Sequence, residues 1–121
     1  MKALHHLWKA FGFSLQGLRD TLHHEMAFRI ELTVAAVLIP TALLLPVSLI
    51  FRLILISSVF LLLIVELLNT GIEAAVNRIS TERHPLSGRA KDAGSAAVFM
   101  SVVYMTLVWC SILYDLIFNN S

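Results

Sequence analysis

At 121 residues the chain has the length of one domain, yet 58% of it is hydrophobic and only 14% charged. Soluble globular domains run at about 45–50% and about 25%, so this composition excludes an ordinary water-soluble fold. The net charge of +1 says little by itself, and no nucleic-acid partner is expected. Cys110 is the only cysteine and lies in an apolar stretch, which rules out an intrachain disulfide.

Residues 1–30 predict an amphipathic helix on the membrane surface. Leu4, Leu7, Trp8, Phe11, Leu15, Leu18 and Leu22 recur at three- and four-residue spacing, with Lys9, Gln16, Arg19, Asp20 and His23 between them. Gly12 and Gly17 count against one unbroken helix. The stretch has no apolar core followed by a small-residue cleavage site, so it does not read as a cleavable signal. Residues 32–51, 53–72 and 93–114 then each approach the about 20 apolar residues that a hydrocarbon core of about 30 Å requires.

The spans fall at 32–47, 49–77 and 93–116. Pro40 is expected to kink the first, and Pro46 to mark the turn before the second. The second helix should run on to about Ile79. Ser80 to Leu86 read as a turn in which Pro85 stops any helix, within a polar loop at 78–92. A third helix is expected from near Ser87, entering the membrane at about Ala93. The architecture predicted is an all-α, membrane-embedded single domain.

Basic residues set the orientation. Lys2, Lys9, Arg19 and Arg29 precede the first span, and Arg78, Arg83, Arg89 and Lys91 lie between the second and third. Only Arg52 falls in the short first connection, and none follows Lys91. The positive-inside rule puts the N-terminus and the 78–92 loop in the cytoplasm and the C-terminus outside.

The second span carries a polar stripe. Glu66, Asn69, Glu73 and Asn77 recur at three- and four-residue spacing and therefore share one helix face. A charge at the centre of a transmembrane helix costs roughly 2.5–3.5 kcal/mol, less toward the interface. A polar contact between helices would explain one such residue, but explains four on one face poorly. The small residues Ala93 to Ala97 favour close helix approach. Three spans also offer little interior for Glu66, so association into an oligomer is expected.

These residues suit phosphoryl transfer, which needs a divalent cation on the phosphates, charge-stabilising donors and a base. Glu73 lies roughly 10 Å along the helix from Glu66, and Glu25 sits at the membrane-facing end of the N-terminal helix. Two carboxylates from different helices, completed by water and phosphate oxygens, make a candidate Mg²⁺ site. Glu82, His84, Lys91 and Asp92 could meet the nucleotide. Glu66, deeper in apolar surroundings, is placed to act as general base on a lipid hydroxyl.

The usual nucleotide signatures are missing, since Gly12 and Gly17 are followed by Leu18 and Arg19 rather than Lys and Ser or Thr. The pairs His5–His6 and His23–His24 point to different faces and do not read as chelates. Arg52 reads as an interfacial anchor. A proton-coupled transporter subunit, with Glu66 as relay, stays open at this point. So does a non-catalytic assembly subunit, although it leaves the stripe unexplained.

The segments ELLNTGIEAAVN at 66–77, HPLSGRAKDAGSAAV at 84–98, EMAFRIE at 25–31 and GFSLQGLR at 12–19 closely resemble the small prokaryotic diacylglycerol kinase family. The likeness runs from about Lys9 to Cys110. SGRAKDAGS looks like the diacylglycerol kinases of Gram-negative inner membranes rather than the related undecaprenol kinases, which are the alternative. The resemblance implies a three-span homotrimer in the bacterial inner membrane, its C-terminus periplasmic and its active sites shared between subunits. It implies phosphoryl transfer from ATP to diacylglycerol, giving phosphatidic acid.

By the same resemblance Glu66 is the catalytic base, with Asn69 beside it, and Glu25 and Glu73 are the metal ligands. Phe13, Glu25, Glu73, Asn77, Glu82, Arg83, His84, Lys91 and Asp92 fall at nucleotide positions. Arg19, Ala27, Phe28, Arg29, Glu31, Arg52, Glu66 and Ser95 fall along the lipid site. Three residues depart from the family pattern: Asn77 replaces the usual Asp, Phe13 a frequent Tyr, and His6 an Arg. None touches Glu25, Glu66 or Glu73, so an active enzyme is expected.

Overall fold

The computed structural model describes residues 1–79 and 82–119. They form four helices: α1 (Lys2–His24), α2 (Met26–Leu44), α3 (Leu49–Ile79) and α4 (Pro85–Phe118). No strand occurs among the described residues. Helices α2, α3 and α4 are each long and apolar enough to cross a membrane. Apolar chains choose helix there because lipid offers nothing else to the backbone N–H and C=O groups.

The surface helix expected over 1–30 divides at Glu25, which takes an extended conformation at φ −112° and ψ 112°. Residues 26–30 thus belong to α2. The Glu25 N–H still donates to the Thr21 carbonyl at 2.8 Å. Arg29 then reaches back, donating from Nη1 to the carbonyls of Leu22 and His23 at 2.9 Å each. These carbonyls have lost their helical donors at the end of α1, and a cation is favoured there. Gly12 and Gly17 do not interrupt α1. Its apolar face is left uncovered by the rest of the chain, and Thr21 is its one buried residue.

Pro40 is contained within α2. Pro46 ends the path of that helix: it has no N–H to offer the Ala42 carbonyl four residues back. Arg52 supplies the missing donor. Its Nε donates to the Ala42 carbonyl at 3.1 Å, and Nη2 to those of Leu45 and Val47 at 2.8 and 3.3 Å.

Helix α3 has 31 residues and is about 46 Å long, well beyond the hydrocarbon thickness, so its last turns stand clear of the apolar slab. It ends at Ile79, as the sequence predicts. Pro85 does not stop a helix but opens one, at a first-turn position where its missing N–H has no helical partner to lose. Helix therefore occupies both flanks of the expected 78–92 loop, and the third span's helix starts at Pro85, ahead of Ser87. Ser80 and Thr81, in the expected turn, lie outside the described residues.

Ala35, Ala42, Leu55, Val59, Trp109 and Ile112 form the core between α2, α3 and α4. Its polar tie is Trp109, whose Nε1–H donates to Ser58 Oγ at 3.2 Å, while that hydroxyl donates to the Leu55 carbonyl at 2.7 Å. Only 17%, 28% and 17% of the three spans is buried within one chain, so most of their surface must meet lipid or other subunits.

Candidate active site

The polar stripe of α3 lies at the end of the bundle where α1 joins α2. Glu66 and Asn69 are 5% and 9% exposed, the only buried polar side chains of α3 besides Ser58. Helical spacing puts Glu73 and Asn77 one and two turns beyond Asn69. Four carboxylates lie toward this end, within electrostatic reach of Glu66. Glu66 feels the charges of Glu73 and Glu25, and Glu31 on α2 feels that of Glu66. Glu25 stands at the elbow between α1 and α2. Glu31 Oε2 is buried without a hydrogen-bond partner.

Asn69 bridges two neighbours. Its Nδ2 donates to Glu73 Oε1 at 3.3 Å. Its Oδ1 is buried with no hydrogen-bond partner and rests against Gly94 of α4.

Past Asn77 the α3–α4 corner opens into a cleft of about 590 Å³, lined by Val76, Asn77, Glu82, Arg83, His84, Pro85, Ser87, Gly88 and Lys91. That is an ordinary volume for a small-molecule site. His84 borders it while capping α4: its Nδ1 accepts the Leu86 N–H at 3.1 Å. The cleft thus gathers five of the nucleotide candidates, Asn77, Glu82, Arg83, His84 and Lys91. Asp92 is exposed on α4, and Phe13 is exposed on α1, outside the cleft lining.

The lipid candidates divide. Glu31 and Glu66 sit in the acidic cluster, and Arg19, Ala27 and Ser95 are exposed. Phe28 is 2% exposed and fills the first turn of α2 as an anchor. The Arg29 guanidinium is engaged by α1 carbonyls. Arg52 stands fourteen residues from Glu66 on the same helix, about 21 Å away at the opposite end. It is not brought together with the cluster. Residue-by-residue reasoning did not single out Glu31, which came only with the resemblance, nor Gly94. The signal for Gly94 was its place in the small-residue run of α4.

The sequence pattern of the prokaryotic diacylglycerol kinases matches residues 12–113. The chain belongs to that family. The diacylglycerol kinase of Haemophilus influenzae is 47% identical to it over 111 residues, spanning 92% of this chain and 94% of that one. Diacylglycerol kinases of Escherichia coli and Pseudomonas aeruginosa are each 48% identical. They match over 107 and 110 residues, or 88% and 91% of this chain and 88% and 89% of theirs. The expected resemblance is borne out, and membership makes the chain a multi-pass membrane kinase. In this diacylglycerol kinase family member the α3 stripe runs from a buried carboxylate, Glu66, toward a polar cleft along a single helix.

Proposed function

We propose that the chain moves the γ-phosphoryl group of ATP to the free hydroxyl of diacylglycerol, giving phosphatidic acid and ADP. The observation that carries this reading is a buried carboxylate, Glu66, in an apolar span, on the helix face that leads through Asn69 and Glu73 to a cleft of about 590 Å³. The lipid hydroxyl reaches Glu66 from the membrane. Glu66 takes its proton as the oxygen bonds to the γ-phosphorus, and the bond to the bridging oxygen of ADP breaks.

Glu25 and Glu73 are hard oxygen ligands from different parts of the chain, and both bear electrostatically on Glu66, a concentration of negative charge that a cation would offset. They suit Mg²⁺ held jointly with substrate phosphates and water. Bound there, Mg²⁺ would offset charge on the phosphates. Among the described residues no three His, Cys, Asp or Glu side chains group as a metal cage, so phosphate oxygens and water would have to complete the shell. Arg83 and Lys91, both lining the cleft, add cationic charge beside the polyphosphate. Asn77 offers a neutral amide where the family pattern has Asp. Glu31, Ala27 and Ser95 border the lipid's approach.

The cytoplasmic placement of the cleft follows from the basic residues at that end, where ATP is available. A homotrimer in the inner membrane covers the apolar faces that one chain leaves open.

Purified protein in mixed micelles, given Mg²⁺, labelled ATP and diacylglycerol, makes labelled phosphatidic acid. Glu66→Gln, still folded, loses on the order of 10²–10⁴-fold in turnover. Full turnover in that variant would remove Glu66 from the base role. Much faster phosphorylation of undecaprenol than of diacylglycerol would change the substrate.

A further inference from the structure

The chain has five glycines, and an added Cβ meets nothing within 4 Å at Gly12, Gly17, Gly71 and Gly88. Gly94 differs. It is buried in α4, and a Cβ there would collide with Asn69 Oδ1 and stand 3.3 Å from Asn69 Cγ and 3.7 Å from Ile72 Cδ1. Gly94 has an ordinary helical backbone without positive φ, so backbone freedom is not what the position requires. What it requires is space for one amide.

That amide is fixed at both ends. Asn69 is nine-tenths buried, and its Oδ1 has no hydrogen-bond partner. A buried amide oxygen is expensive to leave unpaired, and the arrangement persists because the oxygen lodges against the Gly94 Cα, whose hydrogens offer a weak contact. With the oxygen seated the amide plane is set, and one of the two Nδ2 hydrogens is donated to Glu73 Oε1 at 3.3 Å. A side chain at position 94 would force Asn69 into another rotamer or push α4 from α3. The rotamer change takes the donor from Glu73, and a shift of α4 removes the seat that holds Asn69 in place.

We propose that Gly94 is a positioning residue: the bare Cα surface of α4 seats Asn69, and Asn69 holds the Glu73 carboxylate in its cation-binding orientation. The inference rests on the role proposed for Glu73. It gives the small residue of α4 a task distinct from helix association. Groups that orient a metal ligand change metal affinity by about 10–100-fold when removed.

The test uses full-length protein in detergent micelles, with Mn²⁺ as the cation probe and a non-hydrolysable ATP analogue. Mn²⁺ binding is read by electron paramagnetic resonance, alongside the Mg²⁺ and diacylglycerol dependence of phosphatidic acid formation. Gly94→Ala weakens Mn²⁺ binding about tenfold and raises the half-saturating Mg²⁺, while the half-saturating diacylglycerol stays unchanged. Gly12→Ala, on the exposed α1, alters neither. Gly94→Ala that binds Mn²⁺ like the wild type overturns the proposal.

The variant pair Asn69→Ser and Gly94→Ala/Asn69→Ser guards against misfolding. Serine places its hydroxyl near the former Cγ, 3.3 Å from the new Cβ, so the collision is gone. Equal Mn²⁺ binding by these two supports action through Asn69, and a further loss in the double variant overturns it. Wild-type protein that makes phosphatidic acid while its Mn²⁺ binding ignores Gly94 sinks the positioning alone. Mn²⁺ binding that depends on Gly94 without phosphatidic acid formation sinks the reaction alone. Wild-type protein that neither binds Mn²⁺ nor makes phosphatidic acid sinks both.

Discussion

Ser58 lies fully buried at mid-span with its hydroxyl accepting from Trp109, and this pair is the clearest place to weigh one polar contact against lipid. Leaving a buried donor unpaired costs about 1–3 kcal/mol in water-soluble proteins. Polar contacts between membrane helices average only about 0.6 kcal/mol, because the unfolded chain in lipid finds other partners. Ser58→Ala keeps the packing nearly intact, so it should destabilise the folded state by about 0.6–2 kcal/mol. Reversible unfolding in mixed detergent measures it; a loss above that range would show that the hydroxyl also sets the helix register. At this scale the sequence was readable wherever the helical period repeated a polar residue. Glu66, Asn69, Glu73 and Asn77 announce a shared face by spacing. Glu31 is a single carboxylate at the start of an apolar helix, indistinguishable from an interfacial residue until α2 is folded against α3. Gly94 has no side chain to give a pattern, and its meaning lies in the residue opposite it.

Helix ends were less legible than helix interiors, because apolar periodicity does not report a local change of direction. Residues 25–31 keep the spacing of α1, yet Glu25 turns extended and Arg29 seals the gap by taking the carbonyls of Leu22 and His23. Pro85 is compatible with either a stop or a start, and the free His84 side chain before it decides for a start by capping Leu86. At the far end, Arg52→Ala leaves the carbonyls of Ala42, Leu45 and Val47 without this donor. Hydrogen bonds to charged groups contribute about 1.5–3 kcal/mol, and a loss of at least that size in unfolding free energy is expected. Turnover and the half-saturating diacylglycerol of the folded fraction should stay as in the wild type, since Glu66 is remote. A raised requirement for diacylglycerol would place Arg52 along the lipid site.

The molecule as a whole has more apolar surface than one chain can cover. Leu53, Phe60, Ile64 and Leu68 of α3 and Phe99, Met100 and Leu107 of α4 stand exposed beside the small residues Ala93, Ala96 and Ala97. Three apolar helices were visible from composition, and so was the need for partners, because charge-free runs of about 20 residues admit few other readings. The partner number was not, since it depends on interface shape rather than pattern. We expect a homotrimer, and native mass spectrometry from detergent micelles should find three chains; a monomer with full activity would remove the need for assembly. Ala97→Leu, on the exposed small-residue face, should lower that assembly without altering α1 or the α3–α4 cleft.

The loan of Arg52 to the Ala42 carbonyl has a consequence for how the chain is made. During synthesis α2 emerges first, with a carbonyl that Pro46 cannot serve and lipid cannot solvate. Its donor arrives ten residues later, on the opening turn of α3. The two helices are therefore suited to enter the bilayer as one hairpin, whose folded turn shares the guanidinium among three carbonyls. Translation order is written into the turn.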